Sequence, residues 1–113
     1  MIHFNQLPKF QKEYKRLLKK FPSLHSDLVD LEDIIVSLPT GSGKNFTILH
    51  SSENLKIVKT RMMCKTLRDR SIRLIYAHHA NLITFVYIEM YYKGDKANED
   101  RERIREYIES VAL

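Results

Sequence analysis

Three β-type segments follow one another without an intervening helix: Leu55–Met63, Ile72–His78 and Leu82–Tyr92. Each is dense in branched, aliphatic or aromatic residues, and the last two are separated only by His79–Asn81, short enough for a hairpin. Strands that come in a run rather than alternating with helices argue against a parallel α/β arrangement. The predicted sheet is therefore largely antiparallel.

The segments before and after this run read as mostly helical. Ile2 and Phe4 alternate with His3 and Asn5, which predicts a short first strand. Pro8 suits a first helical turn, where its missing donor costs little. Leu7, Phe10, Tyr14, Leu17, Leu18 and Phe21 recur at spacings of three and four, and Pro22 ends the pattern. Ser23 or Ser26 can cap a second helix, with Asp27 at its positive end. Its stripe is Leu24, Leu28, Leu31, Ile34, Ile35 and Leu38, and Pro39 stops it. Residues 39–54 have loop chemistry, with a short strand at Phe46–Leu49. Asn98 can cap a last helix carrying Ile104, Tyr107, Ile108 and Val111. The expected fold is a single α+β domain over residues 1–113, in the order β-α-α-β-β-β-α. The N-terminal helical hairpin covers one face of the sheet, and no repeat or linker interrupts the chain.

Composition narrows the class. With 113 residues, 43% apolar and 29% charged, the chain suits one soluble domain with a modest core. No apolar run reaches the ~18 residues of a membrane span. MIHFNQLPKF lacks a signal peptide's apolar stretch and cleavage site. A lone cysteine, Cys64, cannot form an internal disulfide, so a reducing cytoplasm is the expected compartment. The net charge of +5 is unevenly placed. Residues 9–20 hold six Lys/Arg against Glu13, and residues 55–73 hold seven against Asp69. Residues 27–33 carry four acids and no base. A polyanionic partner fits this pattern, nucleic acid being the commonest; the plain alternative is a solvated basic surface.

LPTGSGKN, residues 38–45, resembles a phosphate-binding loop. In such loops a strand precedes, a helix follows, and a Ser/Thr after the lysine holds magnesium. Here an acidic amphipathic helix precedes, Asn45 replaces the hydroxyl residue, and FTIL prefers a strand. The segment reads as a glycine-rich connection.

The informative stretch runs from Leu55 to Ile104. Alternation puts Lys59 and Arg61 on one face of their strand. Arg73 opens the next strand, Lys65, Arg68 and Arg70 lie in the connection, and Lys93 and Lys96 follow the last strand. A meander brings these positions together, edged by Tyr91 and Tyr92. Such a face suits RNA. Arginine binds phosphate bidentately, and tyrosine stacks on unpaired bases. RNA supplies its own nucleophile, the 2′-hydroxyl. The protein must orient the attack, remove a proton and stabilise the anion that develops. Crowded cations depress one another's pKa, so a lysine could act as base. The alternative is a basic strand whose charges face water.

The strand KIVKTR followed by SIRLIYAHH, the segment FVYIEMYYKGDKANEDRERI, and the amino-terminal FQKEYKRLLKKFPSLHSDL together resemble the RelE/ParE toxin superfamily of bacterial type II toxin–antitoxin modules. The resemblance spans nearly the whole chain. It implies a RelE-like messenger-RNA endonuclease that works without metal or other cofactor in the ribosomal decoding site. Lys59, Arg61, Arg73, Lys93 and Lys96 match its catalytic basic positions, while Lys65, Arg68, Arg70, Tyr91 and Tyr92 would contact RNA. It also implies an antitoxin partner laid as a helix or strand across the basic sheet or the helical hairpin, alongside ribosome and mRNA, with no membrane. The chain departs from RelE in having no tyrosine within Asn98–Ile104, so Tyr91 or Tyr92 would substitute, and Glu89 is a candidate base. The alternatives within the superfamily are a ParE-like inhibitor of DNA gyrase and an inactive relative.

His78 and His79 adjoin a turn and point to opposite faces, with no acids nearby to complete a metal site. Cys64 reads as a buried thiol, and Met62, Met63 and Met90 as core. The charges of DKANEDRERIRE read mostly as the wet side of a helix, as do Lys15, Lys19 and Lys20.

Overall fold

The structure, a computed structural model, describes residues 2–111. Strand β1 (His3–Gln6) leads into helices α1 (Pro8–Lys20) and α2 (Leu24–Ser37). Four strands follow, β2 (Phe46–Ser51), β3 (Leu55–Cys64), β4 (Asp69–His79) and β5 (Thr84–Tyr92), and helix α3 (Arg101–Val111) ends the chain's described part. The sheet order is β1-β5-β4-β3-β2. β2 to β5 form the expected antiparallel meander. Two points correct the sequence reading. A further strand, β2, is longer than Phe46–Leu49 and makes the order β-α-α-β-β-β-β-α. The sheet is also mixed, because β1 pairs with β5 in parallel.

The strand limits shift for local reasons. Asp69 pairs with Cys64 across a tight turn in which Arg68 takes a left-handed φ of 58° and donates its amide to the Cys64 carbonyl at 2.8 Å. β4 therefore starts before Arg73, and Arg70 belongs to the strand rather than to the connection. Leu82 falls in a single 3-10 turn, Ala80–Leu82, before β5.

The helical hairpin and the sheet share one core. Phe10 and Leu17 of α1 and Leu24, Leu28, Leu31 and Ile35 of α2 pack on Val58, Met62, Leu74, Tyr76, Tyr87 and Met90. Each buried aliphatic or aromatic side chain contributes about 1.5–3 kcal/mol of apolar burial. Ile34 and Leu38, read as part of the α2 stripe, are about half exposed, and Met63 is exposed on its strand. Ser23 precedes α2, but its hydroxyl bonds Asp27 and Thr66 instead of capping the helix. Buried Asp27 in turn accepts the Lys65 amide at 3.2 Å, fastening α2 to the β3–β4 turn.

The opposite face is divided along its length. At one end Leu55, Ile57, Ile75, Ala77, Val86 and Ile88 form a second apolar cluster beneath Ile104, with Tyr107 and Ile108 at its side. At the other end the same face presents Lys59, Arg61, Arg73, Glu89 and Tyr91. The division comes from the strands themselves, whose inward positions change from apolar to charged partway along.

Candidate nucleic-acid interface

Strand register assembles the charged end into two rows. Arg61 pairs with Arg73, and Arg73 with Tyr91, across three neighbouring strands. One step along, Lys59 pairs with Ile75, and Ile75 with Glu89. Directly opposed side chains on one face have Cβ atoms about 4.5–5.5 Å apart, so each row gathers residues up to 30 positions apart in sequence. A bulge between Ile75 and Tyr76 in the β4–β5 pairing makes this possible. It lets consecutive Ile88 and Glu89 both serve the α3 face, and so brings Tyr91 beside Arg73.

The members differ in exposure and partners. Arg61 is exposed and has no acidic partner among the described residues. Arg73 is only 6% exposed, and its Nη1 donates to the Arg70 carbonyl. Burial, then the facing Arg61, holds its guanidinium below the ordinary arginine value. Tyr91 is buried, and its hydroxyl has no hydrogen-bond partner among the described residues. Lys59 donates to Glu99 Oε1 at 2.8 Å. Burial works to lower the Lys59 ammonium, but the Glu99 hydrogen bond and the Tyr91 phenol outweigh it and hold the group above its usual value. The expectation that crowding depresses a lysine here is thus corrected: Lys59 is held charged by an acid that the sequence did not place beside it.

The segment between β5 and α3 completes the cover. Lys96 Nζ lies 5.1 Å from the centroid of the Tyr91 ring and bonds the Glu89 carboxylate. Glu89, fully buried, also accepts the Asp100 amide at 2.8 Å and lies 3.7 Å from Arg103. Both oxygens of this carboxylate, considered above as a base, are thus engaged, Oε1 by the Asp100 amide and Oε2 by Lys96, and they tie the segment before α3 to the sheet. Lys93 is exposed, and its amide donates to the Ser71 carbonyl at 2.9 Å, one step beyond the Arg73 row.

The remaining candidates lie at the margin or beyond it. Tyr92 points to the opposite face, tilted against Phe21 at 5.3 Å between ring centroids. Lys65 reaches Asp30 at 3.2 Å, and with Arg70 it lines a cleft between α2 and the free edge of β3. Arg68 is exposed at the turn. Lys59, Arg61, Arg73, Lys96 and Tyr91 are therefore brought together, Lys93 and Arg70 stand at the margin, Arg70 donating its Nη1 to the Arg61 carbonyl at 3.4 Å, and Lys65, Arg68 and Tyr92 lie elsewhere. Sequence reasoning missed Glu99, which touches the cluster directly. It also missed Glu13 and Arg103, whose pairing at 2.6 Å braces it. Glu13, the one acid among six bases in residues 9–20, was the available signal. His78 and His79 do face opposite ways: His78 stacks on Phe85, and His79 bonds Tyr107 of α3. Cys64 is buried among the hairpin-side core residues.

The chain matches no protein-family model and no curated protein in sequence. In three dimensions it resembles a chain from the crystal structure of the archaeal RelE–RelB complex of Pyrococcus horikoshii OT3. The TM-score is 0.61 at 14% identity, over 84% of this chain and 98% of that one. The fold is accordingly RelE-like. No helix among the described residues is long and apolar enough to cross a membrane.

Proposed function

We propose that this protein is the toxin of a toxin–antitoxin pair and acts as a ribosome-dependent endonuclease on messenger RNA. The observation that carries the reading is the convergence of Lys59, Arg61, Arg73 and Tyr91 on the charged end of one face of a RelE-like sheet. In the proposed reaction the 2′-oxygen of a nucleotide bonds to its own 3′-phosphorus and the 5′-oxygen of the next nucleotide leaves. The products are a 2′,3′-cyclic phosphate and a 5′-hydroxyl. Arg61, exposed and unpaired, meets the phosphate, while Arg73 behind it supplies fixed positive charge where the anion develops. Tyr91, buried beneath Lys96, offers its phenol to the adjoining nucleotide once that cover moves. Lys93 and Lys96 widen the field that draws the strand in. An antitoxin partner fits the same reading, since the structural neighbour is itself a chain of a RelE–RelB complex.

Controlled expression in bacteria tests the target. The expected result is prompt arrest of protein synthesis, with primer extension finding new 5′ ends inside translated messages. Intact messages together with DNA damage and blocked replication would replace this reading with gyrase inhibition.

A further inference from the structure

We propose that the segment 93–100 masks the cationic rows, with the Glu99 carboxylate occupying the place on Lys59 that an RNA phosphate takes on binding. The inference rests on the RNA-directed reading above and adds to it a competition built into the chain.

Glu99 and Lys59 form a 2.8 Å ion pair in which the side chains are only 7% and 23% exposed. A carboxylate and a phosphodiester oxygen ask the same thing of an ammonium group: a charge-assisted hydrogen bond. The same segment lays Lys96 over Tyr91, so partly exposed Lys59 and buried Tyr91 are both covered by one stretch of chain. Neighbouring Arg61 makes no ion pair among the described residues and is exposed, so it remains available for a first contact. The segment is fixed at both ends, by the Lys93 amide on Ser71 and the Asp100 amide on Glu89, whereas residues 93–98 between them are exposed. Unmasking thus needs the Glu99 side chain to swing into water, not the departure of α3. A lone anion gains one contact and loses by that exchange. A nucleic-acid strand that already engages Arg61 gains enough to displace Glu99, so the mask selects for extended polyanions.

The test is binding of an eight-nucleotide single-stranded RNA carrying 2′-O-methyl sugars, which lacks the attacking hydroxyl, followed by fluorescence anisotropy over a range of salt. Glu99→Gln keeps the shape and removes the charge. It should tighten binding by about threefold to tenfold, with the salt slope nearly unchanged because Lys59 meets the phosphate in either protein. Glu102→Gln, which makes the same change in net charge on exposed α3, should move affinity less than about twofold. In a Lys59→Gln background the gain from Glu99→Gln should vanish. A Glu99→Gln effect equal to that of Glu102→Gln, weaker binding, or a gain that survives without Lys59 would overturn the mask. In the unmutated protein, carboxyl NMR should show the Glu99 pKa rising toward its ordinary value when RNA binds. An unmoved Glu99 under saturating RNA overturns the mask whatever the variants do. Binding that depends on Arg61 but is indifferent to Glu99 defeats the mask alone. No binding by any of these proteins defeats the RNA reading and the mask together.

Discussion

At the scale of single residues, Arg73 and Arg61 are adjacent guanidiniums with different duties. Arg73 is buried and tied to the Arg70 carbonyl, and Arg61 is open to solvent. Removing one preorganised charge from a transition state costs about a hundredfold or more in rate. Arg73→Ala is therefore expected to slow single-turnover cleavage on the ribosome by about that factor while ribosome affinity changes little. An unchanged unfolding midpoint must accompany the result, and cleavage at the wild-type rate by a folded variant would remove Arg73 from the active face. The two histidines predict a pH effect. Burial holds both below the ordinary histidine value, His78 with the further repulsion of His79 and Lys56. A depressed folded pKa means that the unfolded chain takes up protons first. The stability tied to the neutral rings is then full above about pH 6.5 and declines as the pH falls from there. Chemical denaturation between pH 7.5 and 5 should show this decline, and the His78→Asn, His79→Asn double variant should flatten it.

At the scale of elements, the short first strand creates a problem that α1 and α3 solve jointly. β1 pairs with β5 only as far as Tyr87, and the Leu7 amide closes on the Tyr87 carbonyl. Beyond that point the edge of β5 would be bare. Glu13 accepts the Met90 amide at 3.1 Å, and Arg103 donates to the Ile88 carbonyl at 3.0 Å. The two side chains bond each other at 2.6 Å. One ion pair therefore seals a sheet edge, joins helices from opposite faces and supports Glu89 under the candidate site. Arg103→Met should lower the unfolding free energy by about 2–4 kcal/mol, because Glu13 and a backbone carbonyl lose their partner in a half-buried setting. Adding Glu13→Gln should recover part of that loss in a double-mutant cycle; strictly additive losses would show that the pair does not couple.

At the scale of the molecule, the +5 net charge is not spread over the surface. The wet side of α1 is basic, α2 is acidic, and the charged half of the α3 face mixes cations with their own acids. Of that cluster, Lys59 and Lys96 are answered by Glu99 and Glu89, leaving the two arginines without an ion pair among the described residues. An antitoxin that neutralises this protein is expected to bring acidic side chains to Arg61. Co-expression with neighbouring genes should yield a stable complex whose formation weakens with Arg61→Glu. A non-toxic protein that binds none of those products would count against the toxin reading.

The sequence by itself determined the elements: two proline-bounded helices, a run of strands, a final amphipathic helix and the basic stretch at their centre. These follow from periods of 3.6 and 2.0 that each segment carries internally. Direction and partnership across the chain did not follow. Whether β1 lies parallel to β5 depends on where the hairpin of helices delivers the chain, and nothing local to His3–Gln6 encodes that. Glu99 reaches Lys59 across 40 residues and Arg103 reaches Glu13 across 90, pairings settled by packing. The clearest case is Tyr91. Strict alternation from Ile88 would send Glu89 and Tyr91 to the hairpin side. One bulged residue reverses the count, sets Tyr91 beside Arg73 and consigns Tyr92 to the core beneath Phe21. A bulge is a property of two strands fitting one another, so only the assembled sheet could decide which tyrosine faces the site.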